Sequence, residues 1–277
     1  MEKRTTDQGA PTGSPLATSE PWDLVADGYT VDFRPLMEQF ASEALQLALL
    51  PPSPRIVDVA TGPGTLALLA ARQGATVSAI DFSPAMVANL RRGADEAGLI
   101  IADVRVGDGQ DLPYEDDAFD GAFSLLGLVF FPDRAAGFRE LRRVLGPGRR
   151  AVISAPAPFE GPFALVLNSI GAVLPDLPGA EGRSPLSDPD GFRREMTAAG
   201  FREVKVRTIS GTLTKPSLSD YWDLVQRSAA PVVLLRRKLG EERWAEVAND
   251  VFNRLHQTLG DGPVEDIYTI HLGVGVK

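Results

Sequence analysis

The sequence predicts an α/β fold with a mostly parallel seven-stranded sheet, an antiparallel last strand and a helical cap insertion. Short apolar runs alternate with Ala- and Leu-rich helical segments over residues 55–210, a rhythm typical of a parallel sheet with right-handed crossovers. A glycine-rich turn joins the first predicted strand to its helix. Residues 211–262 lack strand character, and an insertion of that length before a final strand usually folds as its own helical layer.

Composition and charge exclude several classes of protein. The chain has 277 residues, a net charge of −9 and no cysteine. An acidic chain is a poor partner for nucleic acid, and a chain without cysteine forms no disulfide, thiolate metal site or cysteine nucleophile. No stretch is apolar for long enough to span a membrane, and the first residues lack the apolar core of a signal peptide. We therefore expect a cytoplasmic protein without a metal site and without a nucleic-acid partner.

The chain divides into a tail and one domain. Residues 1–20 are rich in Thr, Gly, Pro and Ser without periodicity, so we predict a disordered tail. Residues 21–277 form the predicted single domain. Its predicted parts are N-terminal helices at 21–50, a core at 55–210 and 263–277, and the helical cap insertion at 211–262.

Helix start and stop signals punctuate the chain up to residue 154. Pro51 follows a predicted helix with one apolar face, and Gly74 and Gly98 end the helices after the first and second strands. Ser83 and Pro84 form a strong pair of N-cap and first-turn residues. The predicted strands are 55–60, 76–80, 102–106, 119–126 and 150–154, and the predicted helices are 21–31, 35–50, 65–73, 84–97 and 133–145.

The later half departs from simple alternation. Asp188 and Pro189 start a helix that we expect to end at Gly200. Large apolar residues recur at helical spacing through the cap insertion, and the residues after it alternate as in a strand. The predicted elements are helices at 161–173 and 189–200 and strands at 202–210 and 265–276.

The stretch from Arg55 to Pro84 has the pattern of a nucleotide site. Gly62 and Gly64 allow a sharp turn and a close approach of ligand to backbone, and Asp81 follows about 20 residues on. This spacing fits the dinucleotide pattern G-x-G-x-x-G/A, so a nicotinamide-dependent oxidoreductase is one interpretation. Asp58 favours another, because its carboxylate would repel a pyrophosphate and attract a ligand that carries a sulfonium and an ammonium group.

Four segments carry a family resemblance: VDVATGPG, AIDFSPAMV, GDGQDLPYEDDAFD and ELRRVLGPG. With them, residues 55–154 resemble the class I S-adenosylmethionine-dependent methyltransferases, in the small-molecule group that includes the ubiquinone and menaquinone biosynthesis methyltransferases. The resemblance implies a Rossmann-like core, S-adenosylmethionine as the cofactor and a small-molecule methyl acceptor as the partner. The chain departs from the family pattern at Ala60, which replaces the first glycine, and at Arg149, which replaces the second glycine of the P-G-G turn.

The resemblance also implies roles for individual residues. The acidic residue and the glycine turn after the first strand would line the methionine part of the cofactor, and Asp81 would hold the two ribose hydroxyls. Phe82 and Met86 would contact the adenosine, Asp108 would meet the adenine amino group, and Tyr29 would close over the cofactor. The tip of the fourth strand would face the amino-acid end of the cofactor. The implied cofactor-binding residues are Tyr29, Asp58, Ala60, Thr61, Gly62, Gly64, Asp81, Phe82, Met86, Asp108, Gly109, Gln110, Ser124 and Leu125.

The acceptor site has fewer sequence signals. Leu126, Phe130 and Trp222 are the predicted substrate-binding residues, and their apolar character favours a fairly hydrophobic small molecule. Methyl transfer is an in-line displacement that depends on positioning, and it needs a base only when the attacking atom must lose a proton. His256 and His271 are the candidates for that base, although neither lies in a recognisable motif. The accepting atom (N, O or C), a homodimer, and a non-catalytic cofactor-binding protein on the same scaffold stay open.

Overall fold

The computed structural model describes residues 14–175 and 186–277. Its strands are β1 (Arg55–Val59), β2 (Thr76–Asp81), β3 (Asp103–Val106), β4 (Phe119–Ser124), β5 (Leu145–Pro156), β6 (Arg202–Lys215) and β7 (Val264–Val276). They form one sheet in the order β3-β2-β1-β4-β5-β7-β6. Strands β1 to β5 pair in parallel, whereas β7 pairs antiparallel with both β5 and β6. The predicted fold class is confirmed.

The described helices follow the strands in the order that the sequence predicts. They are α1 (Glu20–Asp32), α2 (Arg34–Ala48), α3 (Thr65–Arg72), α4 (Pro84–Ala97), α5 (Arg134–Val144), α6 (Gly161–Val173), α7 (Pro189–Ala198), α8 (Leu218–Ser228), α9 (Ala230–Leu239) and α10 (Glu241–Leu259). Ser83 caps α4 by accepting a hydrogen bond from Met86 N–H, as its position before Pro84 predicts. Among these described helices, none combines the length and apolar character needed to cross a membrane.

Two apolar layers cover the two faces of the sheet. On one face, α2, α3, α6 and the cap helices pack through a cluster that includes Phe40 and Phe123. On the other face, α5 and α7 pack through Phe138 and Phe192. All four rings are almost fully buried, and burial of one such side chain contributes on the order of 2 kcal/mol. The covered sheet is therefore a firm base for the groups at the ends of its strands.

Strand β6 is longer than the sequence predicts. It pairs with β7 as far as Lys215, which lies opposite Val264, so residues 211–215 belong to the sheet. The prediction that the whole of 211–262 is helical is wrong at this point, and the helical part of the insertion begins at Leu218. These five residues have no strong apolar run, and their strand conformation depends on pairing with β7, which local sequence does not reveal.

The N-terminal region is helical from an earlier residue than predicted. Of the predicted 1–20 tail, residues 1–13 lie outside the described residues. Pro15–Ala17 form a 3-10 turn, and α1 begins at Glu20. The side chain of Trp22 donates a hydrogen bond from Nε1 to the Leu16 carbonyl at 3.0 Å, which ties this turn to α1. Helix α1 then packs against α4, α8 and α9, and so joins the core to the cap helices.

Candidate functional site

The carboxyl ends of three neighbouring strands meet at one edge of the sheet. Strand β1 lies between β2 and β4, so the strands that follow it in the chain are placed first on one side of β1 and then on the other. Ligands of open α/β sheets bind at such a switch point. Asp58 lies near the end of β1, Asp81 ends β2 and Ser124 ends β4. The fold thus brings three of the predicted cofactor residues together.

The glycine turn after β1 has a backbone that few residues adopt. Ala60, Gly62 and Gly64 have φ angles of 55°, 56° and 82°. A Cβ on Gly64 would lie 2.1 Å from Leu90 Cδ1, whereas a Cβ on Gly62 would meet nothing within 4 Å. Gly64 is therefore required for packing of α3 on α4, and Gly62 keeps the backbone open toward the edge where a ligand approaches.

Ala60 occupies the place of the first family glycine with a compensating residue opposite. A Cβ at Gly127 would lie only 2.3 Å from the Ala60 Cβ, so the glycine at 127 makes room for this methyl group. The positive φ of an alanine costs on the order of 1 kcal/mol. The departure from the family pattern is thus accommodated by the loop after β4.

Asp58 and Asp81 are buried carboxylates without a basic partner in the described part of the chain. Asp58 is 2% exposed and accepts a hydrogen bond from Thr61 Oγ1 at 2.6 Å. Asp81 is 5% exposed and accepts from Gly62 N–H at 2.8 Å and Ser83 N–H at 2.9 Å. Burial raises the pKa of Asp58 to about 7 and that of Asp81 to about 6, and the Asp81 charge contributes to the shift at Asp58. A cationic ligand would stabilise both ionised forms.

Ser124 supplies an independent sign of a ligand. Its side chain is fully buried, and its Oγ has no hydrogen-bond partner within residues 14–175 and 186–277. Buried hydroxyls are nearly always paired, so an unpaired one at a strand end indicates a group that is bound there. The neighbouring Leu125 is buried, and the Leu126 N–H donates to Ser154 Oγ at 2.9 Å. With the two carboxylates, this donor set fits the sulfonium, ammonium and ribose groups of S-adenosylmethionine.

The predicted adenine loop after β3 is held by its own side chains. Asp108 is exposed, and its Oδ1 accepts from the Gln110 backbone N–H at 2.8 Å. Gln110 Oε1 in turn accepts from Asp133 N–H at 2.7 Å. A Cβ on Gly109 would lie 2.5 Å from Phe131 Cζ, so this glycine is needed for packing. The loop is therefore preformed beside the Asp81 edge.

Helix α1 lies over the turn after β2. Asp23 accepts hydrogen bonds from Ser83 Oγ at 2.6 Å and Ala85 N–H at 3.1 Å, a contact with no signal in the sequence. Tyr29 is half-buried, and burial together with the charge of Asp81 raises its pKa to about 12. Phe82 is half-buried, and Met86 is buried in a small apolar cluster with α1 and α9. The helix thus covers the cofactor edge from one side.

The remaining predicted residues lie in other surroundings. Phe130 packs against Trp22 of α1, and Trp222 is buried against Trp244 in the cap. His256 is exposed and lies 2.8 Å from Asp261. His271 is buried, with one ring nitrogen 2.9 Å from Thr208 Oγ1 and the other 3.1 Å from the Ser187 carbonyl. Both nitrogens of His271 are thus used by the fold, and His256 faces solvent.

Sequence reasoning missed a buried polar cluster on β7. Asp266 is 1% exposed and accepts a hydrogen bond from the Tyr221 hydroxyl at 2.6 Å. The strand alternation places Asp266 on the same face as Val264, Tyr268 and Ile270, and an acid on an apolar face is the signal that could have found it.

A nucleotide-type site with two buried acids at the switch point defines the class of protein as one that binds a cationic nucleoside cofactor. Residues 57–153 match the model of a family described as a methyltransferase domain. A demethylmenaquinone methyltransferase of Thermus thermophilus is 37% identical over 174 residues, which are 57% of this chain and 79% of the relative. The nocamycin O-methyltransferase of Saccharothrix syringae is 27% identical over 267 residues, 86% of this chain and 89% of the relative. The chain belongs to the S-adenosylmethionine-dependent methyltransferase family.

Solved structures agree on the fold. A SAM-dependent methyltransferase from Aquifex aeolicus has a TM-score of 0.51 at 19% identity and covers 66% of this chain and 90% of its own. The [4+2]-cyclase SpnF has a TM-score of 0.59 at 18% identity and covers 97% and 99%. The family match and the relatives of similar sequence, rather than these folds, identify the protein as a methyltransferase that uses S-adenosylmethionine.

Proposed function

We propose that this enzyme transfers the methyl group of S-adenosylmethionine to a small, fairly hydrophobic molecule held between the cofactor edge and the cap helices. The observation that carries the proposal is the pair of buried carboxylates Asp58 and Asp81 on the two sides of the Gly62 turn, neither of which has a basic partner among the described residues. The cofactor supplies a methyl group on a positively charged sulfur. The chain itself supplies the position of the reacting atoms and the exclusion of water.

Each residue of the edge has a proposed task. Asp81 accepts the ribose hydroxyls with the carboxylate lone pairs that Gly62 and Ser83 N–H leave free. Asp58 and Ser124 face the charged amino-acid end, and the Asp108 loop borders the adenine. Helix α1, with Tyr29, covers the cofactor.

The acceptor class is proposed from the aromatic residues that lie next to this edge. Rings of Phe33, Tyr268 and Phe163 lie in sequence, with centroids 5.9 Å and 6.0 Å apart. Aromatic walls suit a ring-bearing or otherwise apolar molecule. The relatives named for demethylmenaquinone and nocamycin support a small organic acceptor, and the net charge of −9 supports the absence of a nucleic-acid partner.

Calorimetry with S-adenosylhomocysteine and with NAD tests this proposal. We expect micromolar binding of S-adenosylhomocysteine and no binding of NAD, and the reverse would contradict the proposed function. Asp81→Ala should weaken S-adenosylhomocysteine binding roughly 100-fold, because hydrogen bonds to a charged group contribute about 1.5–3 kcal/mol. The matched control is Asp190→Ala, which removes an exposed carboxylate in the first turn of α7 and should leave the affinity unchanged.

A further inference from the structure

The cofactor carries one charged group that the buried acids of the edge do not match. At neutral pH, S-adenosylmethionine has a sulfonium, an ammonium and a carboxylate group. Asp58 and Asp81 give the edge a negative character that suits the two cations. The same two acids repel the carboxylate of the cofactor. A positively charged side chain close to the glycine turn would offset this repulsion.

Arg34 lies beside the glycine turn. It lines a cavity of about 20 Å³ together with Thr30, Pro63 and Thr65, so the start of α2 and the start of α3 lie on two sides of this space. A cavity of this volume admits a small polar group, since a water molecule needs about 10–15 Å³. Because Pro63 is part of the glycine turn, the cavity adjoins the backbone that contacts both buried acids.

The guanidinium of Arg34 has unused hydrogen-bonding capacity. Within the described part of the chain, neither an ion pair nor a hydrogen bond engages this side chain, which is exposed. Glu38, one turn further along α2, also lines the cavity, but among the described residues it forms no ion pair with Arg34. Arg72 completes the charged lining. Two guanidiniums and one carboxylate thus make this cavity positive in a chain whose net charge is −9.

The backbone that carries Arg34 is held at the cofactor edge. The preceding residue, Phe33, stacks on Tyr29 with ring centroids 5.0 Å apart. Tyr29 lies close enough to Asp81 for the charge of that acid to contribute to its raised pKa. Asp32 is tied to the cap and to β6 by ion pairs of 2.7 Å and 3.2 Å. The junction of α1 and α2 is thus fixed, and a group on a fixed backbone loses less freedom when it binds a ligand.

We infer that Arg34 binds the carboxylate at the amino-acid end of S-adenosylmethionine. This inference rests on the proposed function and adds a cofactor-binding residue that lies outside the sequence motifs. A planar guanidinium presents two parallel N–H groups to a carboxylate, and this charge-assisted pairing is among the strong hydrogen-bond arrangements. The acids of the edge then face the cationic groups of the cofactor, and Arg34 faces its anionic group.

Calorimetry with S-adenosylhomocysteine and with its decarboxylated analogue, S-adenosyl-3-thiopropylamine, tests the inference without turnover. The analogue keeps the adenosine, the sulfur and the amine and lacks only the carboxylate. We expect Arg34→Gln to weaken binding of S-adenosylhomocysteine about tenfold and binding of the analogue less than about twofold, because only the first ligand loses a charge-assisted hydrogen bond. Arg34→Lys should recover part of the lost affinity, since it keeps the charge. The matched control is Arg72→Gln, an exposed arginine about 10 Å beyond Thr65 along α3, which should leave both affinities unchanged.

The outcomes separate this inference from the proposed function. Equal weakening of both ligands in Arg34→Gln, no weakening of either, or the same loss in Arg72→Gln would each overturn the inference. In these three cases, binding of S-adenosylhomocysteine by the unaltered protein still upholds the proposed function. Failure of the unaltered protein to bind S-adenosylhomocysteine would overturn both. Arg34 is exposed, so its replacement removes no core contact and the variant should fold.

Discussion

Two regions of the molecule bury carboxylates in opposite ways. Between α1 and the cap, Asp32 is paired with the guanidinium of Arg227 at 2.7 Å and with Lys215 Nζ at 3.2 Å. At the cofactor edge, the described residues that donate hydrogen bonds to Asp58 and Asp81 are all neutral groups. Burial opposes ionisation in both regions, but the hydrogen bonds from Arg227, Ser228 and Lys215 outweigh it and hold the pKa of Asp32 below its usual value.

The difference separates a structural tie from a ligand site. The charge of Asp32 is already neutralised by the cations that contact its oxygens. Its contacts therefore serve to join α1 to α8 and β6. The ionised form of a buried acid with a raised pKa is not stabilised by the protein alone, and a cationic ligand can stabilise it. The same side chain thus serves fold or function according to what faces it.

The largest expected effect is on the ion pairs of Asp32. Asp32→Asn should lower the free energy of unfolding by about 3 kcal/mol, because it leaves Lys215 and the guanidinium of Arg227 without a carboxylate. The matched control is Asp27→Asn on the same helix, whose ion pair with Arg92 is exposed and should contribute less than about 0.5 kcal/mol. Urea denaturation at pH 7 measures both changes. Equal effects of the two substitutions would show that Asp32 is not a structural tie.

The next effect is the pH dependence of stability that the acids of the cofactor edge cause, which has the opposite sign to that expected for an acid with a lowered pKa. The pKa of Asp58 is raised from 3.8 to about 7, so between these values the folded state holds more protons than the unfolded state. The free energy of unfolding of the ligand-free protein should therefore fall as the pH rises from 5 to 8. Asp58→Asn should reduce this fall by about 2 kcal/mol, since one pKa unit corresponds to about 1.4 kcal/mol.

Denaturation of both proteins at several pH values checks that profile. Asp81 has a raised pKa as well, so some of the fall should remain in the variant. Asp32 does not contribute in this range, because its lowered pKa keeps it ionised throughout. A stability that rises from pH 5 to 8 in the unaltered protein would contradict the assignment.

Sequence patterns are sufficient to predict where the acids lie in one of these regions, and they are insufficient in the other. Asp58 and Asp81 lie inside one strand–turn–helix–strand unit, where spacing alone places both at the same edge. Asp32 and Arg227 are separated by 195 positions, and their pairing depends on how the cap helices dock on α1. No local periodicity records such a contact.

The same reason explains the other differences from sequence expectations. The strand conformation of 211–215 depends on pairing with β7, and the hydrogen bond to buried Asp266 comes from Tyr221, 45 positions away. Residue type alone makes the histidines candidates for a base, whereas in the structure both ring nitrogens of His271 are engaged by Thr208 and the Ser187 carbonyl. Motifs predict the site residues that lie within one strand–turn–helix–strand segment. Contacts between distant segments depend on packing, which the motifs do not predict.

A smaller effect concerns protons exchanged on cofactor binding. At pH 6.5 Asp58 is largely protonated without ligand, and the positive sulfur of S-adenosylmethionine should displace roughly half a proton or more. Calorimetry in buffers of different ionisation enthalpy measures this number. S-adenosylhomocysteine, whose sulfur is neutral, should release fewer protons, and Asp58→Asn should abolish the difference. The same release from Asp58→Asn as from the unaltered protein would assign the proton to another group.

The smallest expected effect is that of Ala60→Gly, in the turn that connects the two acids. Ala60→Gly relieves the positive φ but adds backbone freedom to the unfolded chain, so stability should change by less than about 1 kcal/mol. Ala60→Val should instead cost more than about 2 kcal/mol, because a β-branched residue resists this φ and because Gly127 leaves room for one methyl group. Thermal denaturation compares the three proteins. A valine that is tolerated as well as glycine would mean that the turn adapts to its side chain, and then Gly62 N–H would no longer be held at a fixed distance from Asp81.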